Sequence, residues 1–222
     1  AKGEAILGAW EVREINQQIL VWYHPNKEAS SWEPDIIPEA AANHPDWGDM
    51  IIHTWEINTH MQEMGENGVD AAHFLYVHGT DDVPEAAYQT FDGHIREGKF
   101  ITRQPTPRGV VDGAIETKSQ GAGLSMVKFT GIYDTLLLAN VTPIAAEKAR
   151  ASYAFIQPRD TMDTLGKTVG QAIIGNICQQ MSEDKIIWDR KQYFERPLLC
   201  DGDGPFAKFR RWFSQFLVEK TV

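Results

Sequence analysis

A chain of 222 residues, 42% hydrophobic and 23% charged, has the make-up of a soluble globular protein with one sizeable core, or one core and a small appendage. Its formal charge of -10 disfavours nucleic acid, because that binding depends on clustered Lys and Arg releasing counterions. No apolar run approaches the roughly 20 residues that cross a bilayer, and the opening residues have no signal-peptide layout. Cys178 and Cys200 make no Cys-x-x-Cys pair and no disulfide framework, so a reduced, cytoplasmic setting is expected and each reads as a small core residue.

In chain order, AWEVREINQQILVWYHP predicts two strands across a turn near Asn16-Gln17-Gln18. A connection rich in Pro and polar residues follows, from Pro25 to about Trp47, and then a strand over Ile51–Ile57. Helical spacing runs over 59–77. Next come predicted strands over 87–91, 94–103, 109–117, 124–133, 135–142 and 149–157, parted by turn signals such as Asp92-Gly93, Gly121-Ala122-Gly123 and Pro143. A long helix is expected from Asp160 or Thr161, either of which can cap it, towards Gln192. A last helix should cover 205–219, with Pro205 at its first position. Short turns between consecutive strands imply an antiparallel sheet, and the predicted class is α+β: a curved sheet packed on a long C-terminal helix, with a helical metal-binding insertion.

The chemistry concentrates in GENGVDAAHFLYVHGT, where Asn67, Asp70, His73 and His78 sit among Val69, Ala72, Phe74, Leu75 and Val77. Polar groups in an apolar segment need partners when buried, and a metal ion serves two histidines at once. Asn67, Asp70 and His73 are three apart and share a helical edge. His73 and His78 are five apart, roughly 140° round a regular helix, so the helix must distort or end between them. The spacing is not His-Glu-x-x-His, which weakens a zinc-protease reading. The long helix supplies a candidate third ligand. Its apolar row Val169, Ile173, Ile177, Met181 steps next onto Asp184 and then Trp188. An inward carboxylate is costly without a cation beside it, and two imidazoles with one carboxylate form the facial triad of non-haem Fe(II) sites.

Plainer roles fit the remainder. Asp70 can be a surface ion-pair partner or the acceptor that orients His73. Glu63 and Glu66 read as a solvated face, and Glu183 and Lys185 as solvent-placed neighbours of Asp184. His24, His44, His53, His60 and His94 read as structural or exposed. Lys208, Arg210 and Arg211 read as the polar side of an amphipathic helix, and the seven tryptophans as mostly core. Asp201-Gly202-Asp203-Gly204 is a turn, too short for a calcium loop.

These residues resemble the oxygenase components of Rieske non-haem iron oxygenases. ENGVDAAHFLYVH is similar to their iron-binding segment. EDKIIWDRKQYFERPLL and DGPFAKFRRWFSQF resemble the C-terminal region of the 3-ketosteroid 9α-hydroxylase-like and sterol-desaturase-like branch, as does FTGIYDTLLLANVTPI; WEVREINQQILVWYHP is similar to the hairpin that leaves the Rieske domain. The resemblance implies a helix-grip fold, with His73, His78 and Asp184 binding catalytic Fe(II) and Asn67 lying near the iron. It implies that Asp70 passes electrons from a Rieske [2Fe–2S] cluster in a neighbouring subunit of a homotrimer. It also implies O2 as co-substrate, NAD(P)H oxidised through a ferredoxin or flavin reductase, and hydroxylation of a steroid or other polycyclic apolar molecule. The cluster's Cys-x-His and Cys-x-x-His ligand pairs do not occur in this sequence. Residues 1–27 are therefore expected to be a residual hairpin from the Rieske side and 28–222 the catalytic domain, either a portion of a longer protein or the product of loss. Candidate pocket walls are Phe74, Met126, Phe129, Ile177, Met181 and Trp188. The competing readings are a non-catalytic sterol- or lipid-binding helix-grip protein and, further off, a zinc hydrolase.

Overall fold

The computed structural model describes residues 8–159, 164–200 and 203–219. The chain opens with a hairpin, β1 (Val12–Ile15) and β2 (Gln18–Val21), whose two loop residues Asn16 and Gln17 both have positive φ, 52° and 58°. That is the backbone twist a two-residue hairpin requires. The Asn16 side chain then ties the hairpin to the Pro-rich connection, accepting from the Ile37 amide at 2.8 Å and donating to the Asp35 carbonyl at 2.9 Å.

Seven strands make the main sheet: β3 (Ile51–Ile57), β4 (Glu85–Asp92), β5 (Ile95–Thr106), β6 (Gly109–Gln120), β7 (Leu124–Thr130), β8 (Thr135–Ala145) and β9 (Lys148–Ile156). Every neighbouring pair is antiparallel, in the order β3-β9-β8-β7-β6-β5-β4. Gly121, at φ +64°, makes the β6–β7 turn, and a Cβ there would lie 2.6 Å from the Trp32 ring. No other residue type combines that turn with that approach.

Alternation along the strands divides the sheet into two apolar faces. Leu137 and Phe155 pack with Ile174 and Ile177 of the long helix α3 (Thr164–Trp188), whose described residues from 168 onwards keep the stripe expected of them. Met181 and Trp188, further along α3, pack with Ile57, Ala149 and Ala151. On the opposite face Leu136, Leu138, Ala154 and Ile156 are covered by the connection, through Ile37, Ala40, Trp47 and Met50. The expected caps Asp160 and Thr161 lie outside the described residues, as do Asp201 and Gly202 of the Asp-Gly repeat. No helix of the described chain is long and apolar enough to cross a membrane.

Several expectations need correction. The helix predicted over 59–77 is two short ones, α1 (Met61–Glu66) and α2 (Ala72–Tyr76), joined by a 3-10 turn over Asn67–Val69 and an extended Asp70. Asn67, Asp70 and His73 therefore do not share one helical edge. Glu63 and Glu66 are not a solvated face; each is 2% exposed. Lys191 reaches both carboxylates, at 2.7 and 3.0 Å, and Arg210 of α4 (Phe206–Phe213) reaches Glu66 at 2.6 Å. Buried acids persist because these cations fold back onto them, and Arg210 thereby leaves the solvated side assigned to it. Cys200 is exposed rather than core, and of the tryptophans only Trp188 and Trp212 are fully buried among the described residues.

Candidate metal centre

The histidine-bearing segment is shaped by its own polar side chains. His60 starts α1 by accepting the Gln62 amide through Nδ1 at 3.2 Å. After the 3-10 turn, the Asp70 carboxylate Oδ1 accepts the amides of Ala72 and His73, at 2.9 and 3.2 Å, and so caps α2. α2 closes at Tyr76, and Gly79 at φ +65° turns the chain away. The helix thus ends between the two histidines, which a five-residue spacing demands. Their ring centroids come to 5.1 Å, edge to face.

Asp184 of α3 enters the same place. One nitrogen of each imidazole and one Asp184 oxygen all lie within 4.8 Å of one another, and His78 Nε2 is 3.4 Å from Asp184 Oδ1. Two donors about 2.1 Å from a shared ion at right angles sit about 3 Å apart, so the His78–Asp184 separation is near the size that coordination needs. The His78 side chain is 2% exposed and that of Asp184 12%.

Each imidazole is oriented through its other nitrogen. His73 Nδ1 is 2.5 Å from the Asp70 carbonyl oxygen, which can only accept, so Nδ1 carries the proton and Nε2 is left with its lone pair. His78 Nδ1 lies 2.9 Å from Glu183 Oε2 and is held in the same tautomer; Gln179, one turn back, donates to Glu183 Oε1 at 3.0 Å. Burial holds the His73 pKa below the ordinary imidazole value. Burial also opposes the charged form of His78, but the carboxylates of Asp184 and Glu183 outweigh it and raise that pKa.

The grouping forms part of the wall of a cavity of about 220 Å³ between the sheet, α1, α3 and α4. Aromatic contacts lead from it along the wall: Phe74 is 5.9 Å from the His78 ring and 6.0 Å from Phe100 of β5.

Residues 21–217 match the family described as 3-ketosteroid 9alpha-hydroxylase C-terminal domain. The chain belongs to this family. Among its relatives, a probable 3-ketosteroid-9-alpha-monooxygenase oxygenase component of Rhodococcus rhodochrous is 26% identical over 95% of the chain and 57% of the relative. Cholesterol 7-desaturase of Caenorhabditis elegans is 27% identical over 98% of the chain and 56% of the relative. The chain thus spans little more than half the length of these curated relatives. Dicamba monooxygenase bound to dicamba shares the fold, with a TM-score of 0.70 at 14% identity over 93% of this chain and 69% of that one.

Within this family domain, the cavity gathers most of the residues picked out beforehand. His73, His78, Asp184, Asn67, Phe74, Phe129, Ile177, Met181 and Trp188 all line it. Met126 does not. It sits on the far face of β7, against Leu136 and Leu138, because it is three residues from Phe129 and strand parity sends the two to opposite sides. Asp70 acts through its carboxylate on α2 and through its carbonyl on His73, a division of labour that the sequence reading did not separate. Of the residues at the site that were missed, three bear on its chemistry. Glu183 was assigned to solvent, yet it holds His78. Tyr153 and Arg96 line the cavity from the strands; Arg96 shares the strand parity of buried Phe100, but beside Glu97, Lys99 and Arg103 its charge reads as one more solvent-facing group.

Proposed function

We propose that this domain is the catalytic part of an oxygenase that hydroxylates a steroid-like apolar substrate at a single non-haem Fe(II). What carries the reading is that His73, His78 and Asp184, drawn from segments over a hundred residues apart, converge at an apolar cavity. The donor set suits the ion: two imidazoles with their proton on Nδ1, and one carboxylate, form a facial triad that leaves coordination positions open. A ferrous ion held there supplies activation of O2. Family membership favours iron over zinc, and the relatives' names favour a steroid.

The protein's own residues do the rest. Glu183 and the Asp70 carbonyl fix both imidazoles in one tautomer. Phe74, Phe129, Ile177, Met181 and Trp188 offer an apolar, water-poor wall that holds a substrate by burial without ligating the ion. Hydroxylation of R–H by O2 consumes two electrons and two protons and yields R–OH and water. A Rieske cluster, fed by a reductase and NAD(P)H, is the source the family resemblance implies, with Asp70 as the point of entry in a trimer. The two cysteines here do not fit such a cluster. Helix-grip geometry, and the division into a hairpin of residues 1–27 and a catalytic domain from 28 onwards, belong to the same reading.

Hydrogen peroxide is dioxygen with two electrons already added, and it replaces both inputs. The Fe(II)-loaded chain, given a 3-ketosteroid and ¹⁸O-labelled peroxide, is expected to form a hydroxylated product carrying one ¹⁸O. Absence of product, or oxygen drawn from water, contradicts the proposal.

A further inference from the structure

Arg96 lines the same cavity as the three candidate ligands and is only 3% exposed. Its guanidinium has three acceptors: Gly68 O and Gln89 Oε1, both through Nη2, and Ser119 Oγ, through Nη1 at 3.5 Å. Nε–H has no partner, and one N–H of Nη1 is left over. More telling is the absence of any carboxylate: among the described residues Arg96 is in no ion pair, whereas the nearby buried acids Glu63 and Glu66 are matched by Lys191 and Arg210. A buried cation without a counter-charge is destabilising, and burial alone lowers the pKa of Arg96 to about 10. Carbonyl and hydroxyl acceptors solvate such a cation without neutralising it.

Position matters as much as charge. Arg96 and Phe100 both face the cavity from β5, and Gly98 between them leaves room for the Gln89 amide, which lies over it and accepts from Arg96. Four residues of strand span roughly 14 Å. Phe100 touches Phe74, and Phe74 touches the His73 and His78 rings. A rigid molecule lying along this wall has its reacting end beside the histidines and its far end at the guanidinium.

We propose that Arg96 makes this cavity selective for an extended apolar substrate that ends in a carboxylate. This rests on the reading of the cavity as the substrate chamber and deepens it, since a wholly neutral sterol would leave the cation unmatched. The bound carboxylate accepts the spare Nη1 N–H, Nε itself being closed off, and supplies the missing charge in a site shielded from water, where charge-assisted hydrogen bonds are strongest.

The test is made on the iron-free chain, so that it does not depend on metal loading. Binding of 3-oxoandrost-4-ene-17β-carboxylate and of its neutral 17β-hydroxymethyl counterpart is followed by quenching of the cavity tryptophans Trp188 and Trp212. The acid is expected to bind at least about tenfold more tightly, as a hydrogen bond to a charged group allows. Arg96→Gln should abolish the preference, and Arg96→Lys should retain part of it. Should Arg96→Gln fail to fold, the wild-type and Arg96→Lys arms decide the matter. Equal affinity for the two probes in the wild type, binding of neither, or an undiminished preference in a folded Arg96→Gln protein overturns the proposal. A protein that binds the acid selectively yet takes up no iron would sink the oxygenase reading and leave this one standing.

Discussion

Glu183 and Asp70 both act on an imidazole from the side away from its free nitrogen, and they do so by different means. Glu183 offers a carboxylate oxygen 2.9 Å from His78 Nδ1 and is itself steadied by Gln179. Loss of such an outer partner typically weakens metal affinity about 10–100-fold. Glu183→Ala should therefore lower Fe(II) affinity by about that factor in a chelator competition, with Glu183→Gln in between; wild-type affinity in the alanine variant would remove the orienting role. Asp70 combines a backbone acceptor for His73 with a side-chain cap on α2. Asp70→Asn keeps an Oδ1 acceptor, so fold and iron content should be unchanged. In the intact protein that variant should lose most reductase-driven turnover yet retain peroxide-driven turnover. Loss of both, or of neither, would show that Asp70 is not the route of electron entry.

At the level of elements, the C-terminal segment pins α1, the helix that leads into the histidine-bearing segment. Lys191, just past α3, and Arg210 on α4 hold Glu63 and Glu66 of α1. Removing one partner of a fully buried pair costs about 3–5 kcal/mol; the Lys191 side chain is 30% exposed, so about 2–3 kcal/mol is expected for Glu66→Gln in urea unfolding. Burial acts to raise the Glu66 pKa, but Arg210 and Lys191 prevail and lower it. The unfolded chain then binds the proton more readily, so this stabilisation is present above the ordinary carboxylate range and is lost as pH falls from there through the lowered Glu66 pKa. Glu66→Gln should flatten that part of the stability-against-pH curve, and an unaltered curve would count against the pairing. The same elements show what was legible in the sequence. Strand alternation and the four-residue stripe of α3 report a local preference for one buried face, and they placed the sheet, the helix and Asp184. The partners of Glu63 and Glu66 lie 125 and 144 residues downstream in the case of Glu66, a pairing no local pattern encodes. The break at Asp70 was hidden for a different reason, since Asp inside a helical run reads as surface until its carboxylate is seen capping the next helix.

Across the whole molecule, His73 on α2, His78 just past it and Asp184 on α3 make a site only when α2 and α3 are both in place around the cavity. Metal binding and folding should accordingly be coupled, with Fe(II) raising the thermal midpoint of the chain as any ligand of the native state does. The central claim is a shared ion. Its most direct test is iron quantification after anaerobic loading with Fe(II) and removal of excess, on the wild type and on His73→Ala, His78→Ala and Asp184→Ala. About one iron per wild-type chain and near none in each folded variant is the expected result, with coordination by two imidazoles and one carboxylate. An iron-free wild type, or a folded Asp184→Ala protein that keeps its iron, would contradict it.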